Sequence, residues 1–203
     1  MRRKKEDMLI TKEQILNAAL DCFFEKGYEA TSLEEIATRA NVTRGAIYWH
    51  FSDKNDLYRA VIHLTMEKGD VAEFAHSLPN NMSTKERLEE VFWLAINENR
   101  YVDFVFKTMS YIVGRPEFDD IFQDLRDVKR NLLHYFNEEI RIHLAVNHIE
   151  GKRAEDYSMG LYLLFEGMFL TKNIPIGIRL TRENVTHYVE VILKDLDETE
   201  VLG

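Results

Sequence analysis

Apolar residues in TKEQILNAALDCFFEKG fall at Ile15, Ala18, Ala19, Cys22 and Phe23, the i, i+3, i+4, i+7, i+8 spacing of one helical face. Thr11 with Gln14 three positions later makes a capping box, and Gly27 supplies the stop. In TSLEEIATRA, Ser32 and Glu35 form a second capping box, with Leu33, Ile36, Ala37 and Ala40 turned inward. A short connection, Asn41-Val42, leads to Thr43, whose hydroxyl caps a third helix, RGAIYWHF. Asparagine tolerates the left-handed backbone better than most residues, which suits Asn41 to a tight turn. Two short helices joined by a turn of about three residues, behind a supporting first helix, have the helix-turn-helix layout.

The rest of the chain continues the helical pattern. Ser52-Asp53 opens a fourth helix that the spacing extends to about His76, where SLPNNMS breaks it. At about 23 residues and 1.5 Å rise per residue it would be ~35 Å long. Ser83 and Glu86 box the start of a helix reaching about Asn99, with Leu88, Val91, Phe92 and Ala95 on one face. YVDFVFKTMSYIV follows and ends at Gly114 and Pro116. Further helices are predicted from Phe118 to Val146, from Lys152 to about Thr171, and after Thr181. With 3 prolines and 9 glycines in 203 residues, little interrupts them. The fold class is all-α: a three-helix helix-turn-helix domain joined by a long helix to a helical bundle.

Charge divides the chain at the same place. Residues 1–60 hold ten basic and ten acidic side chains, so the net charge of −9 lies wholly in residues 61–203. Contact with phosphates is therefore expected from the first third, and the domains are read as 1–60 and 61–203. The exposed face of the third helix presents Thr43, Arg44, Gly45, Tyr48, Trp49 and His50. Arginine reads guanine bidentately, Thr and Tyr bond phosphates or bases, and glycine lets backbones approach closely. Lys54 opens the next helix, where its charge and the helix-end amides can both meet a phosphate. Tyr48, Trp49 and Phe51 also fit a core; Phe51 is assigned there.

Residues 31–61, TSLEEIATRANVTRGAIYWHFSDKNDLYRAV, resemble the TetR/AcrR family signature, and TRGAIYWHFSDK is similar to its AcrR-like branch. The likeness extends back through ILNAALDCFFEKGYEATS. The resemblance implies a DNA-binding transcriptional regulator, by family default a repressor, that holds a near-palindromic operator as a homodimer. Its implied contacts with double-stranded DNA are Thr43, Arg44, Gly45, Tyr48, Trp49, His50 and Lys54, with Thr31 and Ser32 reaching backbone phosphates. Arg2, Arg3, Lys4 and Lys5 form either a DNA-binding arm or a solvated tail.

Dimerisation through the last two long helices is likewise implied. Tyr157, Leu161, Leu164, Phe165, Met168 and Phe169 are its candidate face, the other reading being that they fill the subunit's own core. The middle segment is rich in aromatic residues and methionine, which can line an adaptable apolar pocket. Phe92, Trp93, Phe104, Met109 and Phe122, with His63, Glu67, Asn97 and Glu166 as polar groups, are the candidates for an apolar or amphipathic effector. Control by a protein partner is the alternative, and efflux or metabolic genes are the expected targets.

Enzyme motifs do not appear. There is no Walker loop, dinucleotide glycine fingerprint, nucleophile elbow or HExxH. Cys22, the single cysteine, lies on an apolar face and permits no internal disulfide. Glu139 and His143 are four apart on one face, too few to hold a metal, and no cofactor is expected. The basic start MRRKKEDMLI lacks the apolar stretch of a signal peptide, and no run reaches the ~18 apolar residues of a membrane span. A cytoplasmic protein with no membrane partner is expected.

Overall fold

A computed structural model describes the backbone of residues 2–149, 153–174 and 177–201, with side chains described for 11–149, 153–174 and 177–198. The chain forms two compact units, Met1–Gly69 with Arg100–Asp124, and Asp70–Asn99 with Leu125–Gly203. All regular structure among the described residues is helical.

The first unit holds helices α1 (Arg2–Ala30), α2 (Leu33–Arg39), α3 (Arg44–His50) and α4 (Lys54–Lys68). Helix α1 runs through Thr11, so Thr11 does not cap it; no glycine or proline precedes that position to stop the helix. Gly27, at φ 78°, interrupts α1 as its sequence position predicts. The anticipated inward face is buried at Ile15, Ala18, Ala19, Cys22 and Phe23. Burial pushes the Cys22 thiol pKa up, which suits an inert core residue. Thr31, with 3% exposure, donates its hydroxyl to the carbonyls of Cys22 and Gly27. Ile36, Ile47, Leu57, Val61 and Ile62 complete the adjoining core at 0% exposure.

The expected continuous helix from Ser52 to His76 is two helices. Gly69 ends α4, donating its N–H to the Thr65 carbonyl at 2.9 Å. Asp70 then caps α5 (Val71–His76), accepting from the N–H groups of Ala72 and Glu73. Glycine is required at position 69: an added Cβ would come within 2.7 Å of the Thr65 carbonyl oxygen and 3.3 Å of Val102. Helix α4, with 15 residues, is thus about 22 Å long rather than about 35 Å.

Helix α7 (Arg100–Ile112) packs on α1 and α4 in the first unit. Its Phe104, Thr108 and Ile112 are buried, and the Tyr58 hydroxyl donates to Thr108 at 3.3 Å. Gly114 turns the chain at φ 76°, and a 3₁₀ turn, Pro116–Phe118, leads into α8 (Asp119–Val146). Arg59 pairs with Asp120 and also donates to the Glu117 carbonyl.

The second unit contains α5, α6 (Thr84–Ile96), the greater part of α8, α9 (Ala154–Asn173) and α10 (Arg182–Val201). Ser83 and Glu86 form the full capping box on α6. Thr181 and Asn184 exchange hydrogen bonds at the start of α10. The expected α9 start at Lys152 lies outside the described residues. Leu88, Val91, Phe92 and Ala95 meet Tyr135, Phe136 and Ile140 of α8 in one core cluster. Near this core Arg87 donates to Glu139 at 2.6 Å and to the Ala75 carbonyl at 3.2 Å. Glu139 is only 2% exposed.

The face of α9 nominated for dimer contact points into this cluster. Tyr157, Leu161, Phe165 and Met168 are buried in it, while Leu164 and Phe169 pack partly buried against it. Tyr157 also donates its hydroxyl to Asp195 of α10 at 2.6 Å. Four of the six thus fill the core of the chain itself and two border it; a helix with apolar residues on two faces does not signal which one turns inward. The exposed apolar residues of α9 are Met159, Leu163 and Leu170, which lie on one stripe at helical spacing. Helix α10 exposes Tyr188 and Val191.

Candidate nucleic-acid interface

The recognition face is built by caps. Ser32 accepts from the Glu35 N–H at 3.2 Å, but the Glu35 carboxylate pairs with Lys26 instead of closing the box. Asn41 adopts φ 54°, the left-handed turn anticipated for it. Thr43 then accepts from the Ala46 N–H at 3.1 Å and fixes the entry of α3. Ile47, 0% exposed, anchors this helix, and Phe51, 4% exposed, holds its far end in the core. Arg44, Gly45, Tyr48 and Trp49 of α3 stay exposed.

That remaining surface brings the nominated residues together. Tyr48 and Trp49 are 47% and 63% exposed, although large aromatic groups usually gain by burial. Arg44 donates to the Tyr48 hydroxyl at 2.9 Å and lies 5.4 Å from the centre of its ring. This i, i+4 contact orders the guanidinium, and among the described residues no carboxylate lies within ion-pair distance of it. Gly45 is exposed, and an added Cβ would meet only Thr43 Oγ1 at 3.7 Å, an ordinary contact. Nothing within the chain demands glycine there.

His50 stacks edge-on to Trp49 with ring centres 4.6 Å apart. Burial and the nearby Lys12 charge lower its pKa, favouring the neutral imidazole. Lys12 is the residue sequence reading missed: it lies exposed on α1 with its ammonium 5.8 Å from the Phe51 ring centre. Only the packing of α1 against α3 reveals that this basic group flanks the recognition face.

Two nominated residues sit differently from expectation. Thr31 is buried with its hydroxyl committed, so it secures the end of α1 and cannot reach a phosphate. Lys54 donates to the Glu29 carbonyl at 3.3 Å, and its ammonium lies 4.3 Å from the centre of the Tyr28 ring. Burial lowers its pKa. The helix end beside it is partly occupied too, since Asp53 accepts from the Asp56 N–H at 2.8 Å. A phosphate would have to draw Lys54 off Tyr28. Ser32 is exposed, and the side chains of Arg2, Arg3, Lys4 and Lys5 lie outside the described residues.

The nominated effector residues are divided between the two units. His63, Glu67, Phe104, Met109 and Phe122 belong to the first unit; Phe92, Trp93, Asn97 and Glu166 belong to the second. His63 lies 3.3 Å from Asp124, and Glu166 accepts from Lys129 at 2.6 Å. Phe92 packs on Phe136 and Phe165. Arg182 covers Trp93, and the Asn97 carbonyl accepts from Lys172 at 2.5 Å. Aromatic content marked these segments as apolar, but partners distant in sequence decided where each ring went.

Among the described residues no helix is long and apolar enough to cross a membrane. The pattern of bacterial regulatory proteins of the tetR family matches residues 15–61, covering the latter part of α1, α2, α3 and the start of α4. The chain is 48% identical over 64 residues to the HTH-type transcriptional regulator AcrR of Shigella flexneri, covering 32% of this chain and 30% of that one. It thus spans about a third of that relative's length. The HTH-type transcriptional repressor BepR of Brucella suis biovar 1 is 28% identical over 178 residues, with 85% of this chain and 84% of that one covered. A solved transcriptional regulator of Aquifex aeolicus VF5, described as TerR/AcrR family, superposes with a TM-score of 0.61 at 26% identity, covering 92% of this chain and 99% of that one. Residues 15–61 thus carry the tetR-family pattern across the helices that display the recognition face, and most of the chain is similar at lower identity to transcriptional regulators of the TetR/AcrR type.

Proposed function

We propose that two copies of this chain bind a near-palindromic operator, repress the adjoining genes in the cytoplasm, and release the DNA when a small apolar or amphipathic effector binds. The observation that carries this reading is the α3 surface. Arg44, Gly45, Tyr48 and Trp49 are exposed together on a helix whose opposite side is anchored by Ile47. Arg44 reads a base edge, Thr43, Tyr48, His50 and Ser32 meet phosphates or bases, and Lys12 joins Lys54 on the backbone. The likeness to BepR, named as a repressor, supports the sign of regulation.

A single seven-residue helix spans too few base pairs to discriminate against genomic competitors. Two recognition helices about 34–36 Å apart read successive major-groove faces. The exposed stripe of Met159, Leu163 and Leu170, with the exposed Tyr188 and Val191 of α10, supplies the dimer contact. An effector weakens the complex only through its different affinities for the DNA-bound and free conformations.

Fluorescence anisotropy with the DNA flanking the gene tests this reading at several salt concentrations. Specific binding that weakens steeply with salt is expected. Arg44→Ala should cost about 1–3 kcal/mol at the specific site and flatten sequence preference, whereas Lys54→Ala should weaken every duplex alike. Equal loss on specific and random DNA from Arg44→Ala removes its base-reading role.

Gly45→Ala separates folding from recognition. Alanine should leave the melting temperature unchanged or raise stability by up to about 1 kcal/mol, since helices favour it over glycine. Operator affinity should nevertheless fall, because the new methyl group stands between the α3 backbone and DNA. Undiminished affinity in the titration would show that no close approach occurs there.

A further inference from the structure

Resting on the DNA-binding reading above, we propose that the unit carrying the recognition helix has its own site for a planar aromatic carboxylate, in the cleft between the end of α1 and α7. The cleft has a volume of about 360 Å³, at the small end of ligand sites and suited to one or two fused rings. Phe23, Tyr28, Tyr58, Phe104 and Tyr111 give it aromatic walls. Tyr28 and Tyr111 stack with centres 4.5 Å apart, and Tyr58 meets Tyr28 at 4.8 Å. Such walls favour flat π-systems in offset or edge-on contact.

Charge at the rim selects the sign of the ligand. The Lys107 ammonium lies 3.6 Å from the centre of the Phe24 ring and donates to the Phe24 carbonyl at 3.4 Å. Among the described residues no carboxylate lies within ion-pair distance of it. The other charged groups lining the cleft are matched: Lys26 pairs with Glu35, and Glu29 lies 3.9 Å from Arg115. A carboxylate on an aromatic body would supply the one missing counter-charge while its rings meet the tyrosines. A cationic ligand would add like charge beside Lys107.

The same cleft touches the DNA-binding surface through Tyr28. That ring is at once a wall of the cleft and the platform on which Lys54 rests. A ligand stacked in the cleft holds Tyr28 in place and keeps Lys54 on it and on the Glu29 carbonyl, opposing its transfer to a phosphate. Ligand and DNA then weaken each other by equal factors.

Calorimetric titration of the full chain with 1-naphthoate, in the absence of DNA, tests the site. Binding is expected for the acid and not for its cationic counterpart 1-naphthylmethylammonium. Lys107→Gln should weaken it about tenfold, equivalent to about 1.4 kcal/mol. Ser110→Trp, which plugs the cleft from its exposed rim, should abolish it, with circular dichroism confirming that both variants fold. No heat up to about 10 mM acid, a range that reveals even millimolar affinity, overturns the proposal. So does equal binding of the amine, or affinity unchanged in both variants. In a second arm, saturating 1-naphthoate should lower duplex affinity several-fold in the wild-type chain and leave Lys54→Ala unaffected; an unchanged wild-type affinity refutes the link through Tyr28. Failure to bind DNA at all would instead refute the proposed regulator while the calorimetric result stands.

Discussion

Replacing Leu163 by arginine is expected to convert the proposed dimer to monomers at micromolar concentration without unfolding the chain. Leu163 is 61% exposed within its own subunit, so the longer charged side chain meets water there. It lies centrally in the α9 stripe between Met159 and Leu170. A two-fold interface repeats every substitution, so both subunits lose a buried leucine at once. Each burial is worth about 1.5–3 kcal/mol, and the introduced like charges add an unpaired desolvation cost. A loss of about 4 kcal/mol or more raises the dimer dissociation constant roughly a thousandfold. Sedimentation velocity reads the change directly, and operator affinity should collapse with it. A variant that sediments as a dimer at micromolar concentration would move the interface elsewhere.

Truncating either partner of the Arg87–Glu139 pair should be among the most damaging changes to the second unit. The two side chains are 16% and 2% exposed and meet at 2.6 Å. Glu139 already has one oxygen, Oε2, without a hydrogen-bond partner, and the neighbouring Tyr135 hydroxyl is likewise orphaned. Removing Arg87 leaves a buried carboxylate with little else to satisfy it. Such single truncations cost about 3–5 kcal/mol, whereas replacing both partners by apolar side chains is often neutral or stabilising. Arg87→Ala and Glu139→Ala should therefore each lower the melting temperature by roughly 10 °C, and Arg87→Met combined with Glu139→Leu should recover most of the loss. Scanning calorimetry checks both results. Additive damage in the double variant would show that the pair is not the source of the cost.

Much of this architecture was legible because it is local. Ser83 with Glu86, Thr43 before α3 and Asn41 in the left-handed turn act through neighbours three or four residues away. The apolar face of α6 emerged from spacing alone. Periodicity could not find the break at Gly69, because the apolar pattern continues through Val71, Ala72 and Ala75. There the deciding contacts are the cap from Asp70 and the approach of Val102 from α7. Spacing also could not choose between dimer contact and subunit core for α9, which carries apolar residues on both faces.

Side chains with a choice of partners were the least legible. Thr31 sits beside the recognition motif in sequence, yet its hydroxyl turns back to Cys22 and Gly27. Lys54 rests on Tyr28, and Lys12 reaches the recognition face from a different helix. The effector candidates, apolar and polar alike, are divided between two compact units.

The amino-acid sequence alone determined that the chain is helical, where most helices start and stop, and which surface of α3 is offered outward. Caps, breakers and periodicity act over a few residues and need no knowledge of the rest. Tertiary structure decided which apolar face closes on the core, which charges are already paired, and which rings enclose open space. Those outcomes depend on partners tens of residues away, competing for the same side chain at close packing.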